Sequence, residues 1–132
     1  AHTSLCCDPI VKFGTAAQKE KYLPDLLSGR KLGAFGLTEA GAGTDAAGQQ
    51  TKAVLDGDNY ILNGSKIFIT NGGVADVYII FAMTDKTKGT KGISAFIVES
   101  DRPGFTIGTQ YLKMGILVSA ITELDFENCV IP

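Results

Sequence analysis

The sequence has no tryptophan, a single histidine (His2), and three cysteines at positions 6, 7 and 129. An odd cysteine count with two of them adjacent argues against a disulfide framework. No C-x-x-C is present, and with one histidine a zinc site lacks ligands. The thiols read as small buried apolar residues in a reducing compartment. No apolar run approaches the ~20 residues of a membrane span. The longest, Val77 to Met83, has the length of a strand. Twelve basic residues against fourteen acidic ones leave a net charge of −2. Nucleic-acid binding needs clustered Lys and Arg to displace counterions, so nucleic acid is not an expected partner. The opening AHTSLCCDP has neither an initiator Met nor the charged and apolar regions of a targeting signal. Both ends read as cut, and the expectation is an excerpt of a longer protein.

What is present divides at about residue 30. Residues 1–29 read as helical. Asp8-Pro9 sets a capping side chain before a proline suited to a first turn, and Gly14 ends that turn. Thr15-Ala16-Ala17-Gln18 fits a capping box. Tyr22, Leu23, Leu26 and Leu27 follow at helical spacing, with Pro24 expected to kink or break the helix and Gly29 to close it. From residue 32 the period changes. KAVL, DGDN and YIL read as a hairpin, and Asn63-Gly64 predicts a second hairpin joining YIL to KIFIT. VYIIFAM is a fully apolar strand and GISAFIV alternates. In TELDFE, Thr122, Leu124 and Phe126 face one way, and Glu123, Asp125 and Glu127 the other. Sixteen glycines in 132 residues, against about 7% typically, fit many short strands and turns. The expected fold is mainly β: a mostly antiparallel barrel or sandwich preceded by short helices. The loop TDKTKGTKG at 84–92 reads as solvated lysines, with attraction of a phosphate as the alternative.

The stretch KLGAFGLTEAGAGTD, 31–45, invites a nucleotide reading, since Gly41, Gly43 and Ala46 satisfy G-x-G-x-x-G/A. That fingerprint needs a following helix and an acidic residue ~20 positions on. AAGQQTKAVL soon reads as β, and no acidic residue occurs between Asn59 and Asp76. A phosphate loop needs G-K-[ST], and Thr44-Asp45 follow Gly43 here. Glycine-rich turns still expose N–H groups that converge on an anion without a helix, and Thr44 adds a hydroxyl. Thr38 and the amides of AFGLT can present donors to a heteroaromatic edge. Phe68 and Thr70, two apart on a strand, point to one face, an aromatic wall beside a hydroxyl. The plainer alternative makes Phe68 a core residue and Thr70 a strand former.

FGLTEAGAGTD (35–45), NGSKIFITNGG (63–73) and KMGILVSAITELDFENCVIP (113–132) together resemble the acyl-CoA dehydrogenase family, most of all its short-chain (butyryl-CoA) type. HTSLC…PIVKFGTAAQKEKYLPDLLSG is similar to the end of that family's N-terminal helical domain. The resemblance implies that residues 1–30 are the C-terminal part of that helical domain and 31–132 the middle β domain. It implies an FAD enzyme that oxidises an acyl-CoA to its trans-2-enoyl form and passes electrons to an electron-transfer flavoprotein. FAD contacts are then expected at Phe35, Leu37, Thr38, Gly43, Thr44, Phe68, Ile69 and Thr70. Thr44 would also touch the acyl-CoA substrate. Phe68 would lie against the ring, and Thr70 near N5 and O4. Glu39 is not the expected base: in the family that carboxylate comes from a later helical domain, so no catalytic residue is expected here. Other expected partners are the remaining domains of the parent and further copies of it, in the bacterial cytoplasm or mitochondrial matrix. A β scaffold that holds no flavin by itself is the alternative. Five positions depart from the family pattern. Ala40 replaces a proline, Leu117 an arginine, Ile121 a hydroxyl residue, and Tyr111-Leu112 an acidic pair.

Overall fold

The computed structural model describes residues 1–132, and the chain is mainly β. A π-helical turn, His2–Cys7, runs into α1, Asp8–Phe13, and α2, Ala16–Leu27, follows. Asp8 does not cap α1, because the π-helical turn enters it without a break; the side chain pairs instead with Lys12 at 2.9 Å. The capping box on α2 forms as expected. Gln18 N–H donates to Thr15 Oγ1 at 3.2 Å, and Thr15 N–H to Gln18 Oε1 at 2.9 Å. Pro24 neither breaks nor ends α2. It lies on the exposed side, as does Glu20, so the carbonyl deprived of its N–H partner can reach water. Buried Leu26 anchors the final turn from the opposite side.

Seven strands follow: β1 Gly33–Gly36, β2 Lys52–Asp56, β3 Asn59–Thr70, β4 Val77–Met83, β5 Ile93–Glu99, β6 Phe105–Gln110 and β7 Ile121–Ile131. They form one curled sheet in the order β1-β4-β2-β3-β7-β6, with β5 also paired to β4. Most pairs are antiparallel. β1 and β4 run parallel, which gives a mixed sheet. Strands so distant in sequence can pair this way because the chain between them forms its own hairpin and returns.

β4 explains its own unbroken apolar sequence. Tyr78, Ile80 and Ala82 enter the main core with Leu62, Phe105, Leu124 and Phe126, while Val77 and Ile79 pack against Cys6, Ile10 and Leu26 of the helices. A strand covered on both faces has no polar side to alternate with. Burial pushes the Cys6 thiol up to about 12, with Cys7 beside it adding to the shift. Both are free and buried, which makes them inert packing residues.

Asn63-Gly64 is not a hairpin turn. β3 runs straight through it to Thr70, and its register against β7 shifts between Leu62 and Gly64. The pair is a β-bulge. Gly64 holds φ +147°, and an added Cβ would lie 2.6 Å from Thr51 Cα. The Asn63 side chain accepts from the Asn128 N–H at 2.9 Å. The hairpin signal was local, while pairing with β7 extends the strand on both sides of it. The turn at Gly57-Asp58 between β2 and β3 does form, with Asp56 facing Asn59.

Candidate functional site

β1 and β2 lie one after the other along the same edge of β4: β1 pairs with residues 77–80 and Lys52 with Met83. The chain between them, 37–51, leaves this edge as an excursion. Beside it runs the second half of β3. Ile67 N–H donates to the Thr38 carbonyl at 2.9 Å, and Asn71 Nδ2 to the Gly33 carbonyl at 3.1 Å. The glycine-laced segment and the KIFIT segment therefore meet along one seam.

The excursion is a tight turn followed by an open loop. Glu39 and Ala42 exchange two backbone hydrogen bonds, 3.0 and 3.1 Å, around Ala40-Gly41. Gly43 and Thr44 follow, exposed to solvent, before a short 3-10 turn at Ala46–Gly48. Gly41 and Gly43 take no positive φ, and a Cβ on either would meet nothing within 4 Å. Neither backbone conformation nor internal packing requires glycine at these two positions. They leave the peptide groups bare for close approach from outside.

Both ends of the excursion are tied to one buried ion pair. Glu39, 7% exposed, accepts from Lys66 Nζ at 2.8 Å, Gln50 N–H at 2.6 Å and Thr51 N–H at 3.0 Å. Lys66, wholly buried, also donates to the Leu37 carbonyl at 3.0 Å and Gln49 Oε1 at 3.1 Å. All three ammonium hydrogens are thus used. Burial works to raise the Glu39 carboxyl, but the hydrogen bonds from Lys66, Thr51 and Gln50 outweigh it and hold the group below its ordinary value. Burial lowers Lys66, partly offset by Glu39. A carboxylate so enclosed, paired with an ammonium and accepting three hydrogen bonds, is in keeping with a structural role and not that of a base. Sequence patterning missed Lys66 and Gln49, because a lysine in a strand reads as outward-facing. Only its register opposite the core residue Leu124 reveals the reverse.

The expected contact residues divide into three groups. Thr38, Thr70 and Phe68 lie along the seam. Phe68 is 59% exposed, so it is not a core residue. A second register shift, between Lys66 and Ile69, and φ +57° at Phe68 turn its ring outward while Ile69 stays in the core. Gly43 and Thr44 stand in the exposed loop above. Phe35 and Ile69 send their side chains elsewhere. Phe35 packs edge-on against Phe81 at 5.2 Å, beside the helices. The hydroxyls of Thr38, Thr44 and Thr70, and the N–H groups of Leu37, Thr38, Gly43 and Thr44, enter no hydrogen bond within the chain. Uncommitted donors next to an exposed aromatic ring suit a planar, acceptor-rich group carrying an anionic arm, and the residues fit a flavin dinucleotide on these grounds.

A groove of about 600 Å³ lies elsewhere, between α2 and β5, lined by Phe13, Tyr22, Phe81 and Phe96 among others. None of the expected contact residues borders it. No helix is long and apolar enough to cross a membrane.

Comparison with known proteins agrees in sequence and in shape. Residues 34–129 match the acyl-CoA dehydrogenase middle domain, and residues 1–30 the acyl-CoA dehydrogenase N-terminal domain. A short-chain specific acyl-CoA dehydrogenase of Clostridium acetobutylicum is 62% identical over 132 residues, all of this chain and 35% of that protein. The structure of butyryl-CoA dehydrogenase from Megasphaera elsdenii superposes with a TM-score of 0.95 at 62% identity, covering 98% of this chain and 34% of the other. That of a glutaryl-CoA dehydrogenase from Mycobacterium smegmatis in complex with FADH2 superposes with a TM-score of 0.91 at 40% identity, covering 99% and 33%. The chain thus spans about a third of the length of the proteins it matches. With its helical lead matching the family's N-terminal domain over residues 1–30 and its curled β domain matching the middle domain over residues 34–129, the chain belongs to the acyl-CoA dehydrogenase family.

Proposed function

We propose that this chain forms one wall of the flavin and acyl-CoA site of a short-chain acyl-CoA dehydrogenase. In this reading residues 1–30 close the N-terminal helical domain and 31–132 form the middle domain. The observation that carries it is the group of uncommitted donors along the seam, Thr38, Thr70 and the Leu37 and Thr38 amides, beside the exposed ring of Phe68, with those of Gly43 and Thr44 in the adjoining loop. Bound FAD supplies the acceptor for the hydride removed from the acyl chain. Thr38, the Leu37 amide and Thr70 then serve the polar edge of the ring system. Donors already held in place stabilise the negative charge that edge gains on reduction. Thr44 and the bare peptides of the glycine loop serve the pyrophosphate, and Thr44 also the CoA arm. Phe68 excludes water from one side of the ring.

In this reading, as the family resemblance implies, a later helical domain of the parent supplies the α-proton base, and Glu39, committed to Lys66 and two amides, orients the loop. Exposed apolar side chains, among them Phe13, Leu112, Met114 and Val118, support packing against the remaining domains of the parent or further copies of it. An electron-transfer flavoprotein as acceptor, and a bacterial cytoplasmic or mitochondrial matrix setting, complete the reading.

The test is Thr38→Val and Thr44→Val in the full-length parent. Each keeps the volume and deletes a donor. Flavin retention or the rate of flavin reduction falls in both; unchanged values in both remove these residues from the site. A second reading, a scaffold that holds no flavin alone, is favoured by the exposure of the seam, where Gly43 and Thr44 face solvent. A ligand site needs most of the ligand's surface buried. Micromolar 132-residue chain is therefore expected to leave flavin fluorescence unquenched, and recovery of stoichiometric FAD with the chain would refute this.

A further inference from the structure

The ring of Phe68 is exposed, on a backbone that non-glycine residues seldom adopt, and yet it is held. Its neighbour is Tyr111, with ring centroids 5.1 Å apart and planes inclined at 42°. Tyr111 is itself tethered twice. Its N–H donates to the Ile121 carbonyl at 2.9 Å, and its hydroxyl to Glu123 Oε1 at 2.7 Å. Glu123 sits on β7 between Thr122 and Leu124, where two irregularities face each other. The β3 register slips between Lys66 and Ile69, and the β6 register between Ile107 and Gln110. The first slip turns Phe68 outward, and the second precedes the turn of the chain to Tyr111. Gly108 leaves room for the tether, since a Cβ there would lie 3.0 Å from Glu123 Cβ. Tyr111 also stands where the family resemblance leads one to expect an acidic residue.

We propose that Tyr111 is a positioning residue that fixes the ring of Phe68 against the flavin, with Glu123 orienting Tyr111. The inference rests on the reading given above, in which Phe68 lies beside the flavin ring. Glu123 and Tyr111 reach the cofactor only through Phe68. An aromatic partner of this geometry favours one ring position over others by a factor of about two to ten.

The experiment uses the full-length holoenzyme and its variants Phe68→Leu, Tyr111→Leu, Tyr111→Phe and the double Phe68→Leu/Tyr111→Leu. The readouts are the visible circular dichroism of the bound flavin and the FAD dissociation constant. Tyr111→Leu is expected to alter the flavin bands and weaken FAD about two- to tenfold, and Tyr111→Phe, which keeps the ring but loses the Glu123 tether, to fall between the parent and Tyr111→Leu. The double variant is expected to match Phe68→Leu alone, because Tyr111 acts through Phe68. A purely structural tyrosine would change the melting temperature and leave the flavin bands unmoved. If Phe68→Leu shifts the bands and Tyr111→Leu does not, or if the two effects add, the positioning role is refuted while the flavin site stands. If neither variant shifts them, the placement of Phe68 beside the flavin fails, and the inference with it. Should Tyr111→Leu not accumulate folded, Tyr111→Met is read by the same criteria.

Discussion

Lys66→Met tests whether the buried ion pair holds the glycine loop. Methionine keeps most of the stem volume, so little cavity forms and the loss is electrostatic. Three hydrogen bonds vanish: to Glu39 at 2.8 Å, Leu37 at 3.0 Å and Gln49 at 3.1 Å. Glu39 keeps its two amide donors but becomes a buried carboxylate without a counter-charge. Breaking one side of such a pair costs about 3–5 kcal/mol. That is a large part of the ~5–15 kcal/mol by which a domain is stable. With an m-value near ~2 kcal/mol/M, the urea midpoint of the chain falls by roughly 2 M. Glu39→Gln alone leaves Lys66 charged and turns an amide NH2 toward one of the two backbone N–H donors, so it too destabilises. The double variant Glu39→Gln/Lys66→Met buries no charge, and its cost is expected to fall short of the sum by about 1–3 kcal/mol. Hydrogen exchange locates the effect, because the Gln50 and Thr51 amides bound by Glu39 should exchange faster in both single variants. Costs that add within about 0.5 kcal/mol, with no change at those amides, would show that the pair does not act as a unit.

Three further expectations follow from the same geometry. The Glu39 carboxyl is held below its ordinary value, so its contribution to stability is full above the unfolded carboxylate value of about 4.3 and is lost as pH falls through the folded value. Glu39→Gln is therefore expected to flatten the acid limb of stability against pH, and an unchanged limb contradicts the assignment. Gly64→Ala forces a Cβ onto the Thr51 backbone at φ +147° and is expected to cost about 2–3 kcal/mol by urea denaturation. Thr122 Oγ1 is buried without a partner, so Thr122→Val is expected to be neutral or to stabilise by about 1 kcal/mol in the same assay. A marked loss would reveal a partner for that hydroxyl.

The sequence alone determined what depends on neighbours along the chain. The capping box at Thr15, the Gly57-Asp58 turn, the alternation of TELDFE and the unbroken VYIIFAM strand were legible because hydrogen bonds and side-chain periods within a few residues set them. The ordered motifs also made the family legible. Tertiary structure alone decided whatever depends on a distant strand. Pairing with β7 turned Asn63-Gly64 from a hairpin into a bulge, and a second slip in the same ladder moved Phe68 out of the core. The solvent-facing side of α2 made Pro24 tolerable. Lys66 became the tie of the glycine loop because its register placed an ammonium inside the sheet, where only Glu39, Leu37 and Gln49 could satisfy it. A buried charge is decided by its partners, and these partners lie 17 to 29 residues away in the chain.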